Sequence, residues 1–193
     1  MKQTAKTKVL VAGIVLVCCV ILGELAVSAA RVNQKYPKAT PIDVPQGQSL
    51  MLGSVEVSAS MGQTVFLDDF FSHPSSVDLD VNLFSATCPL EEQQMFTYKI
   101  ALHNTSEEAQ KFPLYSFVFS SSIWANGIDM ELFRALNTEA SLSPTIPAGG
   151  EIVLELPFIM CRPQFNEQNW EKAPQQTYWL TYSAYPEYVR FMV

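Results

Sequence analysis

Between Lys8 and Arg31 the chain carries a single charged residue, Glu24, and the run Val9–Gly23 reads VLVAGIVLVCCVILG. At about 1.5 Å per residue, Val9 to Ala30 would form a helix of roughly 33 Å, enough to cross the hydrocarbon core of a bilayer. Lipid offers the backbone no hydrogen-bond partner, so only a helix suits such a segment, and its β-branched residues are no obstacle. Glu24 sits toward one end, where a carboxylate reaches the interface at lower cost than at the centre. The reading is a signal anchor at 9–30 embedded in membrane lipid, with a cytoplasmic tail at 1–8. The same residues fit a cleaved signal peptide: Lys2, Lys6 and Lys8 precede an apolar stretch, and Val27-Ser28-Ala29 resembles a cleavage site. A lipid-modified cysteine fits less well, because Val17 and Cys18 stand where a small residue is wanted. All three readings put the chain beyond residue 30 outside the cytoplasm. The lysines at the extreme start favour an inside N-terminus, although Arg31, Lys35 and Lys38 almost balance them.

Charge divides the chain in the same place. Residues 1–38 carry a formal +5 and residues 39–193 carry −12. So acidic a remainder excludes a nucleic-acid-binding domain, which needs a basic surface. Between the two parts lies Tyr36–Pro45, YPKATPIDVP. Its three prolines fix φ and remove backbone donors, which predicts an extended spacer over 31–47. An irregular lead-in to a first strand explains these residues equally well.

Beyond the spacer the dominant period is two. Val55, Val57 and Ala59 alternate with Glu56, Ser58 and Ser60. Phe96, Tyr98, Ile100 and Leu102 alternate with Met95, Thr97, Lys99 and Ala101. Ile152, Leu154, Leu156 and Phe158 alternate with Val153, Glu155 and Pro157. Each set gives a strand one apolar face. Further strands are expected at 114–120 (with Tyr115, Phe117 and Phe119), 178–183 and 188–193, with weaker candidates at 64–67 and 77–84. Turn chemistry separates them at His103–Glu108 and Ile146–Gly150. Residues 128–136 read as either strand or helix, and 166–172 as a short helix capped by Asn166. The fold class predicted is mainly β: an antiparallel immunoglobulin-like β-sandwich over 48–193, preceded by one N-terminal transmembrane helix.

Catalytic signatures are absent from the sequence. No G-x-S-x-G, phosphate loop or dinucleotide fingerprint occurs, and His73 and His103 do not build a zinc set. Ser120-Ser121-Ser122 reads as a strand-end turn, and no cofactor is expected. Cys88 and Cys161 are the two cysteines of the outer domain and a disulfide candidate in an oxidising compartment; two separate buried thiols are the alternative. Asp68, Asp69, Asp78 and Asp80 form a weak calcium candidate, with Asp78 and Asp80 on one strand face, against the plainer reading of a solvated acidic rim. Asn104-Thr105-Ser106 matches a glycosylation pattern and equally a polar turn. Trp179 reads as core, and Trp170, in a polar stretch, as the surface interaction candidate.

Tyr98–Ala109, YKIALHNTSEEA, looks like the middle of telokin-like and related immunoglobulin-like bacterial surface domains. The order Asn33–Pro37 (NQKYP), Leu132–Asn137 (LFRALN), Leu156–Ile159 (LPFI) and Tyr185-Pro186 is similar to an uncharacterised family of small Gram-positive gut-bacterial proteins with one N-terminal membrane segment. That resemblance implies a single-pass cell-membrane protein with an extracytoplasmic C-terminal domain. It implies no activity and no catalytic residues, and the cysteine pair is no part of it. The expected function is a non-catalytic, membrane-tethered interaction or accessory domain with a protein partner. A surface module for calcium, peptide or glycan is the alternative, and an unrecognised enzyme the third.

Overall fold

The computed structural model describes residues 5–37, 39–73, 79–86, 88–183 and 186–192. The chain divides into two compact units, Met1–Ala39 and Thr40–Val193. The first is one helix, α1 (Ala5–Lys35). Among the described residues it is the one helix long and apolar enough to span a bilayer, over Gly13–Lys35 with a mean hydropathy of 2.4, a test that a signal sequence also passes. It runs five residues past the Ala30 boundary expected from the sequence, because Arg31–Lys35 contains no helix breaker before Pro37.

The second unit is a β-sandwich. Its strands are β1 (Thr40–Val44), β2 (Ser49–Leu52), β3 (Val55–Phe66), β4 (Gln93–Asn104), β5 (Gln110–Lys111), β6 (Val118–Ser120), β7 (Ala125–Gly127), β8 (Thr145–Ile146), β9 (Glu151–Cys161), β10 (Trp179–Ser183) and β11 (Glu187–Met192). Short helices interrupt them: α2 (Leu67–Ser72), α3 (Val81–Ser85), α4 (Met130–Leu136) and α5 (Glu167–Lys172). One sheet has the order β2-β3-β4-β9 and the other β1-β11-β10-β6-β7; β5 and β8 form a small ribbon. All pairings are antiparallel except β1 with β11. Between the two main sheets the chain crosses after β1, after β4, after β7 and after β9.

Two segments differ from expectation. The proline-containing stretch is not a spacer throughout, since Thr40–Val44 pairs with Glu187–Phe191. Proline is tolerated there because β1 is an edge strand. The run 114–120 is only partly strand: Leu114–Ser116 forms a tight helical turn that leaves Tyr115 67% exposed.

The alternating residues of β3, β4 and β9 face the main core as predicted, where Tyr98, Phe117, Phe119, Phe158 and Phe191 are buried. Phe119 is its hub, with Phe96, Tyr98, Tyr178, Phe158 and Trp124 at centroid distances of 4.9–5.7 Å. A second cluster covers the other face of β4 and β9. Leu67, Phe84, Met95, Leu132 and Ile159 meet there, brought by α2, α3 and α4. This explains why Met95 and Thr97, on the face expected to be open, are also buried.

Polar side chains close what the sheets leave open. Along the free edge of β9, Asn137 accepts from Glu155 N at 2.7 Å and donates to Glu155 O at 2.7 Å, while Asn126 donates to Ile159 O at 2.8 Å. Asn104 is fully buried; its Nδ2 donates to the carbonyls of Glu108, Ile146 and Pro147, and its Oδ1 accepts from Ser106. Such an amide is closed to glycosylation, and the turn reading of Asn104-Thr105-Ser106 stands. Asn104→Ala leaves several buried carbonyls without a donor, at a cost of about 3 kcal/mol. The melting temperature should drop by roughly 6–12 °C in calorimetry, and a drop of less than about 2 °C would contradict this role for Asn104.

Candidate functional site

Of the predicted acidic cluster, the described members Asp68, Asp69 and Asp80 are not gathered into one metal site. Asp68 and Asp69 lie exposed in the first turn of α2. Asp80 caps α3, its carboxylate accepting from Asn82 N at 3.0 Å and Asn82 Nδ2 at 2.9 Å. Residues 81–85 are therefore helix, not the strand expected over 77–84, and Asp80 is occupied by its cap. Asp78 lies outside the described residues. Among the described residues no group of His, Cys, Asp and Glu is arranged to hold a metal.

Cys88 and Cys161 come together in the second apolar cluster, but as free thiols, which corrects the expected disulfide. Each sulfur has its own weak acceptor: Cys161 donates to Gln93 Oε1 at 3.8 Å and Cys88 to Pro89 O at 3.6 Å. Gln93 in turn donates to the carbonyls of Phe84 and Cys88, so packing and hydrogen bonds fasten this region without a covalent link. Burial pushes the Cys161 thiol up to about 12 and raises Cys88 as well.

Trp170 and Trp179 are both half-buried. Trp170, the surface candidate, is half-buried: its ring lies 5.6 Å from Phe165 and packs on the main core. Trp179, expected in the core, is half-buried on the outward face of β10, because Leu180 takes the inward position. It belongs to a cluster that the sequence reading missed. The Arg190 guanidinium lies 4.9 Å from the Trp179 ring centre and 5.2 Å from that of Tyr188. Its Nε and Nη2 donate to the two carboxylate oxygens of Asp43 at 2.7 and 2.8 Å. That bond raises the Arg190 pKa further and fixes the fork between the two rings. The register of the parallel pair sets Arg190 directly opposite Asp43 and Tyr188 opposite Pro41. The available signal was the alternation Tyr188-Val189-Arg190-Phe191, which sends Tyr188 and Arg190 to the same side.

On the outward face of the other sheet, Ser49 donates to Glu56, and His103 Nδ1 lies 3.6 Å from the same carboxylate. The Ser49 hydroxyl, followed by His103, holds the Glu56 carboxyl below its ordinary value. The carboxylate stands between hydroxyl and imidazole, so the imidazole is not in place to take the hydroxyl proton as a nucleophile-activating base must.

At the far end of β3 the pairing with β4 slips between Met61 and Thr64, so that Gly62 and Gln63 together stand opposite Thr97, a one-residue bulge. Only glycine fits at 62, since an added Cβ would sit 2.4 Å from Thr97 Oγ1. Gln63 N donates to that hydroxyl at 2.8 Å. Such bulges redirect side chains. A cavity of about 430 Å³ opens on the outward side, lined by Gln63, Asp69, Phe70 and Glu155. A second, of about 450 Å³, opens on the inward side against Phe96, Tyr98 and Tyr178.

Residues 67–188 match the family model described as "Domain of unknown function (DUF5028)". The chain belongs to the DUF5028 family. No match is found among the curated proteins. Solved structures similar to it include a conserved hypothetical protein from Bacillus anthracis (10% identity, 79% of this chain and 94% of that one, TM-score 0.46). A functionally unknown protein from Listeria monocytogenes is also similar (11%, 70% and 70%, TM-score 0.46), as is an uncharacterized beta-sandwich protein from Clostridium difficile (7%, 81% and 96%, TM-score 0.44). The DUF5028 match begins at α2 and covers the motif LFRALN, which is helix α4 with Asn137 at its end.

The two thiols of the sandwich are protonated at neutral pH and shielded by packing. Iodoacetamide at pH 8 should leave Cys88 and Cys161 unmodified in the native protein and alkylate both in denaturant without added reductant. Resistance to alkylation in denaturant until a reductant is supplied would mean that they are bonded.

Proposed function

We propose that this DUF5028 protein is a single-span, membrane-tethered domain that works outside the cytoplasm by binding a protein partner, and that it is not an enzyme. The apolar helix α1 supports the tether, with the lysines at the start of the chain supporting an inside N-terminus. The observation that carries the binding role is the outward cluster of Trp179, Tyr188 and Arg190. Tryptophan, tyrosine and arginine are the residues that dominate interface hot spots, and here they are held in one geometry before any partner arrives. Asp43 fixes the arginine, so little side-chain entropy remains to be lost on binding. The acidic surface of the 39–193 part favours a partner with a basic face.

The test is proximity labelling in the native cell from the C-terminal end of the full chain. Neighbours enriched with the native sequence should be lost with Trp179→Ala combined with Arg190→Ala, corresponding to binding weakened by roughly thirtyfold. Val153→Ala, an exposed residue on the edge of the other sheet, should change nothing. An unchanged set of neighbours in the folded double variant would refute the interface, and turnover by the purified protein in a broad hydrolase panel would refute the non-catalytic reading.

A further inference from the structure

The chain holds seven asparagines, at 33, 82, 104, 126, 137, 166 and 169, and glycine follows one of them, Asn126-Gly127. Asn33, Asn82 and Asn169 lie within α1, α3 and α5, and Asn166 caps α5. Asn104 and Asn137 precede β-branched threonines, and each carboxamide is held by several hydrogen bonds. Asn126 lies in β7, the three-residue strand at the edge of its sheet. Gly127 is exposed, and a Cβ built on it would meet nothing within 4 Å.

Gly127 N donates to the Asn126 Oδ1 at 2.9 Å. The Asn126 Cγ is one C=O bond, about 1.23 Å, from that oxygen. A backbone nitrogen and a side-chain carbonyl carbon are thereby held beside each other, and a bond between them would close a five-membered ring. Glycine allows that closure, because no Cβ crowds the attacking nitrogen and its backbone turns freely. A cavity of about 290 Å³, which Asn126 lines together with Asp129, Glu131 and Gln164, gives water access to the carboxamide.

We propose that Asn126-Gly127 is a modification site, at which Asn126 loses its side-chain amide through a succinimide closed by Gly127 N. The nitrogen gives up its proton and bonds to Cγ; the Cγ–Nδ2 bond breaks, and Nδ2 takes up that proton and leaves as ammonia. Water then opens the ring. Addition at Cγ leaves an aspartyl residue, and addition at the Asn126 backbone carbonyl leaves an isoaspartyl one, whose main chain runs through the former side chain. No electrons are exchanged, and water is the sole co-reactant. The two native hydrogen bonds of the carboxamide, from Gly127 N and to Ile159 O at 2.8 Å, restrain closure, so the rate follows local opening of β7. The product changes the fold as well. Nδ2 is the donor that covers Ile159 O on the free edge of β9, and a carboxylate in its place sets a second acceptor against that carbonyl. Loss of the amide uncovers part of the edge that Asn126 and Asn137 close.

The full chain in lipid nanodiscs is kept at pH 8 and 37 °C in ¹⁸O-enriched water, sampled over weeks, then digested in ordinary water for peptide mass spectrometry. Asn126 should exchange its amide for a labelled acid before any other asparagine, as a mixture of isoaspartyl and aspartyl forms. Gly127→Ala should keep its melting temperature, since the added methyl meets open space, and should slow the reaction by roughly tenfold. The aged protein, separated from the unaged by its extra negative charge, should melt roughly 3–6 °C lower, and so should Asn126→Asp. Asn126 left intact or modified later than another asparagine, an unchanged rate in Gly127→Ala, an aspartyl product without the isoaspartyl form, or an unchanged melting temperature of the aged protein would each overturn the proposal. None of these outcomes bears on the Trp179–Arg190 interface.

Discussion

Five aromatic rings converge on Phe119, and the sandwich closes around that contact. Phe119 comes from a strand of three residues, which could not hold its place by backbone pairing alone. Its ring reaches Phe96 and Tyr98 on β4 and Phe158 on β9, all in the opposite sheet, and Tyr178 and Trp124 beside its own. Each such pair contributes about 0.5–1.5 kcal/mol beyond area burial. The hub therefore does two things: it joins the sheets, and it fixes the walls of the inward cavity, since Phe96, Tyr98 and Tyr178 belong to both.

A second constraint comes from burying β4 and β9 on both faces. A strand open to water on one side needs no cover; one lined by Met95, Thr97 and Ile159 on its outer side does. The short helices α2, α3 and α4 supply it. Helix α4 is clamped to β9 at both ends, by Asp129 N donating to Pro157 O at 2.9 Å and by the paired bonds of Asn137 to Glu155. Pro157 has no N–H to offer beyond the sheet, and the side chains of Asn137 and Asn126 occupy most of what remains of that edge. These bonds blunt an edge that would otherwise recruit another strand. The five-stranded sheet carries its polar contacts differently, outward, with the Asp43–Arg190 pair spanning β1 and β11 between two rings.

Much of this was legible in the amino-acid order. Alternation over Val55–Ala59, Phe96–Leu102 and Ile152–Phe158 identified the long strands and their core faces, because one residue of slip would have exposed every apolar side chain. Asn166 marked its helix by local capping chemistry. Failures came where local pattern is ambiguous or the partner is distant. Leu79–Phe84 alternates well enough for a strand, yet the Asp80 cap and the cover demanded by Met95 make it helical. Trp179 lies between Tyr178 and Leu180, all apolar, so parity could not be chosen from composition. Asn137 and Asn126 find their acceptors 18 and 33 residues away, beyond any local signal. The cysteines lie 73 positions apart, a spacing that says nothing of the packing that leaves each a thiol.

In the proposed reading α1 is the tether, and few residues of sequence separate it from the sandwich: α1 ends at Lys35 and β1 starts at Thr40. Lys35, which ends α1, and Lys38 offer trypsin its cutting sites there, whereas the sandwich beyond is a compact unit. Trypsin added to intact cells is the most direct measurement. The account predicts a soluble fragment beginning at Tyr36 or Ala39 and running to the C-terminus, released while a cytoplasmic marker stays whole. A full-length chain that survives until the cells are lysed would contradict it.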